Sequence, residues 1–439
     1  MKKLGRIARL GGLTSRVGGS YLGQKVKGAF QDAQSRRDGM DDTHRENARR
    51  VAQTMGKLKG AAMKVGQNLA QVVEGMDLPP EVAGALRTLN NKAAPVPFER
   101  IQAQVEASLE APLDELFASV EREPLGTASL AQAHAATLHD GRRVVFKVLH
   151  DGVEDSVETD LAALKTMFVT GRVLNRSKEE LEDLFDEIKL RLLEELDYYN
   201  EAANIEAFRR AFADHEGIVV PATVPSHCTD RVLTMDRLDG LPLSDWVETA
   251  TPAERQQAGM NLADLFFQSV YVHQHLHADP HEGNYLFSEG GVVGLLDFGC
   301  VVRYDEHWLA EYARVADAGI VGDRDFALAQ LRQMGALVDA TPEAEDLLWE
   351  FIDILGVPFR AGRYTAGGSD DGIHEKMREV VPRFVKHPCI RTPRKLIFMH
   401  RSLGGTYGML KKLQVRADWG EMARRYHRLA IDRAEGRLA

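Results

Sequence analysis

Hydrophobic and polar positions repeat along the chain with two different periods, and the change of period divides it. From the start to about residue 110 the apolar residues recur at helical spacing, in "THRENARRVAQTMGKLKGAAMKVGQNLAQVVEG" and again in "PFERIQAQVEASLEA", with breaks at Pro79-Pro80 and Pro95-x-Pro97. Near residue 115 the period shortens to two. The stretch "PLGTASLAQAHAATLHDGRRVVFKVLH" reads as a loop of small residues, a strand, an Asp140-Gly141 turn and a second strand rich in Val and Phe. Helix returns over 177–212, opened by Ser177 and Glu180 at capping-box spacing. Two strands are expected to flank Pro221 and Pro225, the second leading into "RVLTMDRLDG". After Gly240 the pattern is helical, interrupted by a hairpin in "NYLFSEGGVVGLLDFG" and a loop over 361–372.

These elements predict four segments. They are a basic stretch over 1–45, disordered or lying on a membrane surface, a helical extension over 46–110, a sheet-based lobe over 111–238 and a helical lobe over 239–439. At 439 residues, 44% hydrophobic and 27% charged, the composition is that of a globular chain with more than one core. Cys228, Cys300 and Cys389 lack metal-ligand or redox spacing. The net charge of −10 speaks against a nucleic-acid partner. The first thirty residues hold Lys2, Lys3, Arg6, Arg9, Arg16, Lys25 and Lys27 and no acid, so they carry +7. Such a segment suits an anionic membrane surface or an acid-poor transit peptide. No stretch approaches the roughly 20 apolar residues of a spanning helix, so a soluble or peripheral protein is expected.

Chemistry concentrates in "HADPHEGNYLF" and the "DFG" that follows. Asp279 and Asn284, five apart on a loop, and Asp297 at a strand end match the kinase set of a catalytic Asp, a metal-binding Asn and a metal-binding Asp. Phosphoryl transfer needs a carboxylate to orient or deprotonate the acceptor, and oxygen ligands to hold Mg²⁺ on the nucleotide phosphates. Asp279 suits the first task, Asn284 and Asp297 the second. Upstream, Lys147 in "VVFKVL" follows a small-residue turn, where kinases keep the lysine of the α and β phosphates. On a continuous helix "EELDYYNEAAN" puts Asp197 and Glu201 on one face and Glu195 nearly opposite, so either Glu195 serves another surface or the helix breaks between them. Glu201 is then a partner for Lys147. The strand around Met235, in "LTMDRLDG", would meet the adenine edge. The histidines 273, 275, 277 and 281 suggest zinc at first sight. Three of them fall on a predicted helix at two-residue spacing, which splays them around the axis.

Departures from an ordinary protein kinase are also visible. Ala278 stands where an activation-loop arginine is common, no Ala-Pro-Glu follows, and the chain returns to helix shortly after Gly299. The loop "GTASLAQ" has a single glycine, Gly126, followed by Thr127, Ala128 and Ser129.

Taken together, "KVGQ", "TASLAQAH", "VVFKVLH", "ELDYYNEAAN", "LTMDRLDG", "HADPHEGN" and "LLDFG" resemble the UbiB-type atypical kinases, a protein-kinase-like family linked to ubiquinone biosynthesis. The resemblance runs over nearly the whole chain from about residue 50. It implies an α+β, protein-kinase-like two-lobe fold with a helical amino-terminal extension and Mg-ATP, or ADP, between the lobes. Lys64 and Gln67 match the family's Lys-x-Gly-Gln signature, Glu195 and Asp197 its Glu-x-Asp pair, Glu201 the acid paired with the strand lysine, and Gly126 to Ser129 its alanine-rich loop. Gly126 and Thr127 replace the usual alanines. Glu282 replaces the usual proline. The resemblance further implies ATPase or unorthodox kinase activity, a lipid or quinone-precursor ligand, and a cytoplasmic protein peripheral to the inner membrane, mitochondrial in a eukaryote, with a homodimer as one assembly. Two other readings stay open: a small-molecule phosphotransferase of the aminoglycoside or choline kinase type, and a non-catalytic, nucleotide-gated lipid-binding or scaffold module. Lys64 and Gln67, three apart on an otherwise apolar helix, are expected to reach Glu195, Asp197 and the nucleotide phosphates.

Overall fold

The computed structural model describes residues 95–128, 130–153, 196–369, 371–387, 389–391 and 393–438, with scattered helical positions from 157 to 193. Lys64, Gln67, Ser129 and Glu195 lie outside the described residues, as does the basic amino-terminal stretch. The chain divides into two compact units. One runs to Tyr199 and includes Val224–Met235, and the other comprises Asn200–Thr223 and Asp236–Ala439.

In chain order the elements begin with α1 (Phe98–Leu109), α2 (Leu113–Leu116), β1 (Ser119–Val120), β2 (Gly126–Thr127), β3 (Ala131–Thr137) and β4 (Arg143–Leu149). There follow α3 (Tyr198–Ala211), β5 (Ile218–Val219), β6 (Val232–Asp236), α4 (Leu243–Thr249), α5 (Pro252–Phe267), β7 (His275–His277), β8 (Tyr285–Phe287), β9 (Val293–Leu295) and β10 (Val301–Arg303). The rest is α6 (Glu306–Val321), α7 (Arg324–Gln333), α8 (Pro342–Arg360), β11 (Arg363–Thr365), α9 (Ile373–Val380), α10 (Arg394–Leu413), β12 (Arg416–Asp418) and α11 (Trp419–Ala434).

The first unit is built on a sheet of order β1-β3-β4-β6, with β2 also paired to β3. The β3–β4 hairpin turns through Asp140-Gly141, where Gly141 takes φ +87°, a conformation costly for residues with a Cβ. The period of two in β4 sends Val144, Phe146 and Val148 into a core with Ile101 and Val105, which stand one helical turn apart on α1. Lys147 therefore falls on the opposite face, half-buried and opposite Ala133. Two polar side chains of β3 are also fully buried. Gln132 donates to the Val96 carbonyl and accepts from the Val96 amide, and His134 Nδ1 donates to the Glu121 carbonyl at 2.9 Å. That tautomer leaves His134 Nε2 to accept from Gln132 at 2.9 Å, and burial holds the imidazole below its ordinary pKa.

In the second unit β8 and β9 form the expected hairpin, joined by β5 running parallel to β9. Helices α5, α6, α10 and α11 enclose an apolar core that includes Phe267, Val270, Leu276, Met399 and Tyr426. Asp305 caps α6 by accepting from the Trp308 amide at 2.8 Å, so β10 and α6 follow the Asp-Phe-Gly turn with only a short link. Among the described residues no helix is long and apolar enough to cross a membrane.

Three sequence expectations need correction. The histidines do not lie on a helix: α5 ends in a single π turn over Gln268–Val272, Gln274 takes φ 59°, and His275 and His277 emerge on β7, paired to β10. The segment 361–372 is not only loop, since it contains β11, paired antiparallel to β12. Of the two arrangements open for the acidic segment, the broken helix is the one found, and no single helix joins Asp197 to Glu201. Leu196 is in a turn, Asp197 is outside the helix and exposed, and α3 begins at Tyr198, so the shared face assigned to Asp197 and Glu201 does not exist.

Candidate functional site

The carboxyl end of β7 delivers Asp279 and the start of β8 delivers Asn284, so a short loop closed by backbone bonds carries both. His281 N donates to Asp279 O at 2.8 Å and Asn284 N to His281 O at 2.9 Å. The Asn284 side-chain nitrogen donates to both the backbone oxygen and Oδ2 of Asp279, each at 3.0 Å. Two acceptors on that side fix the amide orientation and turn the Asn284 side-chain oxygen away from Asp279. Leu296 N donates to Asn284 O at 2.9 Å, tying the loop to the chain segment that ends in Asp297.

Asp297 is held from beneath by His277. Its backbone oxygen only accepts, so His277 Nε2 at 2.6 Å carries the proton and Nδ1 is left as acceptor for the Tyr285 hydroxyl at 3.5 Å. The Gly299 amide donates to Asp297 Oδ1 at 3.1 Å. Phe298 is fully buried and packs edge-on against Phe208 and His277. Helix α3 clamps the backbone of Phe298, with Asn204 donating to its carbonyl at 3.1 Å and Glu201 accepting from its amide at 3.3 Å. Glu201 and Asn204, each 4% exposed, sit one turn apart on the helix, which brings both to this one residue.

Arg401 of α10, a residue that sequence spacing did not single out, donates to Asp279 Oδ1 at 2.5 Å. Its neighbour Ser402 donates to the His277 carbonyl at 3.1 Å. Helix α10 thus supplies a guanidinium to the candidate catalytic carboxylate, whose preceding residue is Ala278. Glu282 also has a cation, pairing with Lys412 of the same helix.

In the first unit, β2 and β3 form a tight antiparallel turn closed by Ala128 N donating to Ala131 O at 2.8 Å. A Cβ added at Gly126 would meet no atom within 4 Å. Nothing in that strand therefore requires a glycine. Met235 is 3% exposed on β6, at the end of the sheet next to β4.

The donors at Asn284 and Asp297 are hard oxygens of the kind Mg²⁺ prefers. Among the described residues no group of three or more His, Cys, Asp or Glu is arranged to hold a metal ion, and His277 is engaged with Asp297 and Tyr285. The fold and the Asp279–Asn284–Asp297 constellation define a kinase-like protein.

A family model described as the ABC1 atypical kinase-like domain matches residues 88–330, more than half of the chain, and the chain belongs to that family. It is similar to a mitochondrial protein of Rattus norvegicus named atypical kinase COQ8B, 28% identical over 414 residues, covering 92% of this chain and 76% of that one. It is also similar to the probable protein kinase UbiB of Aeromonas hydrophila, 31% identical over 269 residues, covering 55% of this chain and 48% of the relative. The fold matches the solved structure of Rv3197 from Mycobacterium tuberculosis, determined with erythromycin, with a TM-score of 0.62 and 24% identity over 84% of this chain and 93% of that one.

Proposed function

We propose that the chain is an Mg-ATP-dependent atypical kinase or ATPase that supports ubiquinone or related isoprenoid-lipid metabolism. The carrying observation is the hydrogen-bonded pair of Asp279 and Asn284, tied through Leu296 N to the segment that ends in Asp297, with Arg401 of α10 on Asp279 and Glu201 of α3 on the Phe298 amide. In this reading Asp279 orients and deprotonates the acceptor hydroxyl or water, with Arg401 and Asn284 fixing its two carboxylate oxygens. The Asn284 side-chain oxygen and the Asp297 carboxylate would hold Mg²⁺, whose contribution when bound would be to neutralise phosphate charge. Lys147 serves the α and β phosphates, the turn from Gly126 to Ser129 covers them, and Met235 serves the adenine. Glu201 holds the Asp-Phe-Gly backbone and is assigned to Lys147 as its carboxylate. Lys64, Gln67, Glu195 and Asp197 complete the set around the nucleotide. The relatives named for kinases of the COQ8 and UbiB kind support the lipid setting, with the chain acting at a mitochondrial or bacterial inner-membrane surface.

The test is nucleotide binding and hydrolysis by the purified chain, with and without anionic liposomes. The expected result is Mg-dependent nucleotide binding and turnover, with Asp279→Asn keeping the binding and losing the turnover, and Lys64→Ala or Gln67→Ala changing nucleotide affinity. No binding at millimolar Mg-ATP would overturn the reading. In cells lacking their own relative, rescue of quinone content by the native chain and not by Asp279→Asn is expected, whereas rescue by both would mark a scaffold.

A further inference from the structure

Helices α6, α8, α10 and α11 of the second unit line a cavity of about 150 Å³, whose wall is mostly aliphatic and aromatic and includes Phe267, Ile320, Leu348, Phe351, Phe359 and Leu403. Three polar side chains interrupt that wall: Tyr271, Tyr312 and His400. None of their side-chain polar groups makes a hydrogen bond to another described residue. The imidazole of His400 instead lies between rings, 5.9 Å from Tyr312 and 5.8 Å from Phe351 by centroid. A fourth polar group on the wall, His427, is already committed to Asp317 at 2.7 Å.

Tyr271 is buried on this wall, and Tyr312 and His400 are half-buried. Here they face space. The surroundings also keep them neutral: burial lowers His400 to about 4 and raises both tyrosines, so none carries charge near pH 7. Among the described lining residues the charged one is Arg391, which is exposed. A cavity of about 150 Å³ is large enough for a benzene-sized molecule, well short of a drug-sized ligand. Water would satisfy the polar groups and leave most of the wall wetted. A ligand with an apolar body satisfies both.

We propose that this cavity is a binding site for a small uncharged molecule with a ring-sized apolar body and one hydrogen-bonding oxygen, such as an alcohol, phenol or ketone, seated with its oxygen toward Tyr312 and His400. None of the lining residues belongs to the Asp279–Asn284–Asp297 set, so the proposal stands apart from the nucleotide reading.

The test titrates the full chain at pH 7 with benzyl alcohol, benzoate, benzylammonium and toluene, four probes of nearly one size, by calorimetry and thermal melting. Saturable binding of benzyl alcohol is expected, with benzoate and benzylammonium at least about tenfold weaker, since charge is disfavoured in a neutral apolar site. Tyr312→Phe and His400→Phe should each reduce benzyl alcohol affinity toward that of toluene. Ala316→Phe, which projects a ring from the wall, should abolish binding of both. Absence of saturable benzyl alcohol binding would overturn the proposal. So would tighter binding of benzoate, the signature of an anion site at Arg391, or an affinity unmoved by both polar-to-Phe variants in folded protein.

Discussion

Replacing Arg401 with Ala tests whether α10 is part of the catalytic apparatus or only packs beside it. The Arg401 and Asp279 side chains are 31% and 33% exposed, so solvent screening limits the pair's contribution to folding to about 1 kcal/mol or less. Its contribution to orientation is larger. Asp279 has two side-chain anchors, Arg401 at Oδ1 and Asn284 at Oδ2, and removing one lets the carboxylate rotate about the other. A hydrogen bond to a charged group is worth about 1.5–3 kcal/mol, and each 1.36 kcal/mol of lost transition-state stabilisation is about tenfold in rate. Arg401→Ala should therefore lower kcat for nucleotide hydrolysis by about 10- to 100-fold while KM for Mg-ATP moves by less than about threefold. Because the contact is made through a single guanidinium nitrogen, Arg401→Lys should recover part of the loss and Arg401→Gln less. Steady-state kinetics alongside a thermal melt decide the matter. A kcat within about twofold of native would refute the orienting role. A Tm drop as large as that of a core truncation would show that the arginine is structural.

Other expectations follow from particular contacts. His277→Phe leaves the Asp297 carbonyl without its donor and the Tyr285 hydroxyl without its acceptor, and should cost about 2–4 kcal/mol in urea denaturation while weakening Mg-nucleotide binding. Gly405→Ala should destabilise by about 1–3 kcal/mol and depress turnover, because its Cβ would fall 2.3 Å from Pro280 Cγ and 2.9 Å from the Pro280 carbonyl oxygen, beside Asp279. Gly126→Ala, by contrast, meets no atom and should leave the melting temperature unchanged or slightly raised. His400, held at about 4 by burial, binds its proton more weakly in the folded protein than in the unfolded chain. Stability should therefore fall as pH drops from about 6.5 toward 4, and His400→Leu should flatten that part of the pH–stability curve relative to native. An equal decline in both proteins would mean that His400 does not titrate as its burial implies.

The residues that the sequence makes legible are those whose relationship is local. Asp279, Asn284 and Asp297 sit on one short segment whose spacing is set by a loop and a hairpin, so their order alone carries their chemistry. The β3–β4 hairpin was equally readable, because seven-residue strands display their period of two and Asp140-Gly141 marks the turn. Strands β11 and β12 were not, since three residues cannot show a period and their partner lies about fifty positions away. The histidine run misled for a related reason. From Leu265 to Ala278 there is no Gly or Pro to stop a helix, and the chain leaves it through a π turn and a left-handed Gln274, neither of which has a composition signal. Arg401 stands 122 positions from Asp279, and only the packing of α10 against the Asp279 loop makes them neighbours. The same helix sends Arg401 and Ser402 to the loop and the preceding residue, His400, to the apolar cavity. Adjacent residues on a helix point about 100° apart, so one turn of α10 serves two environments, a charged one and a neutral one. Variants at positions 400 and 401 should accordingly separate, with position 400 moving ring-sized ligand binding and low-pH stability, and position 401 moving kcat.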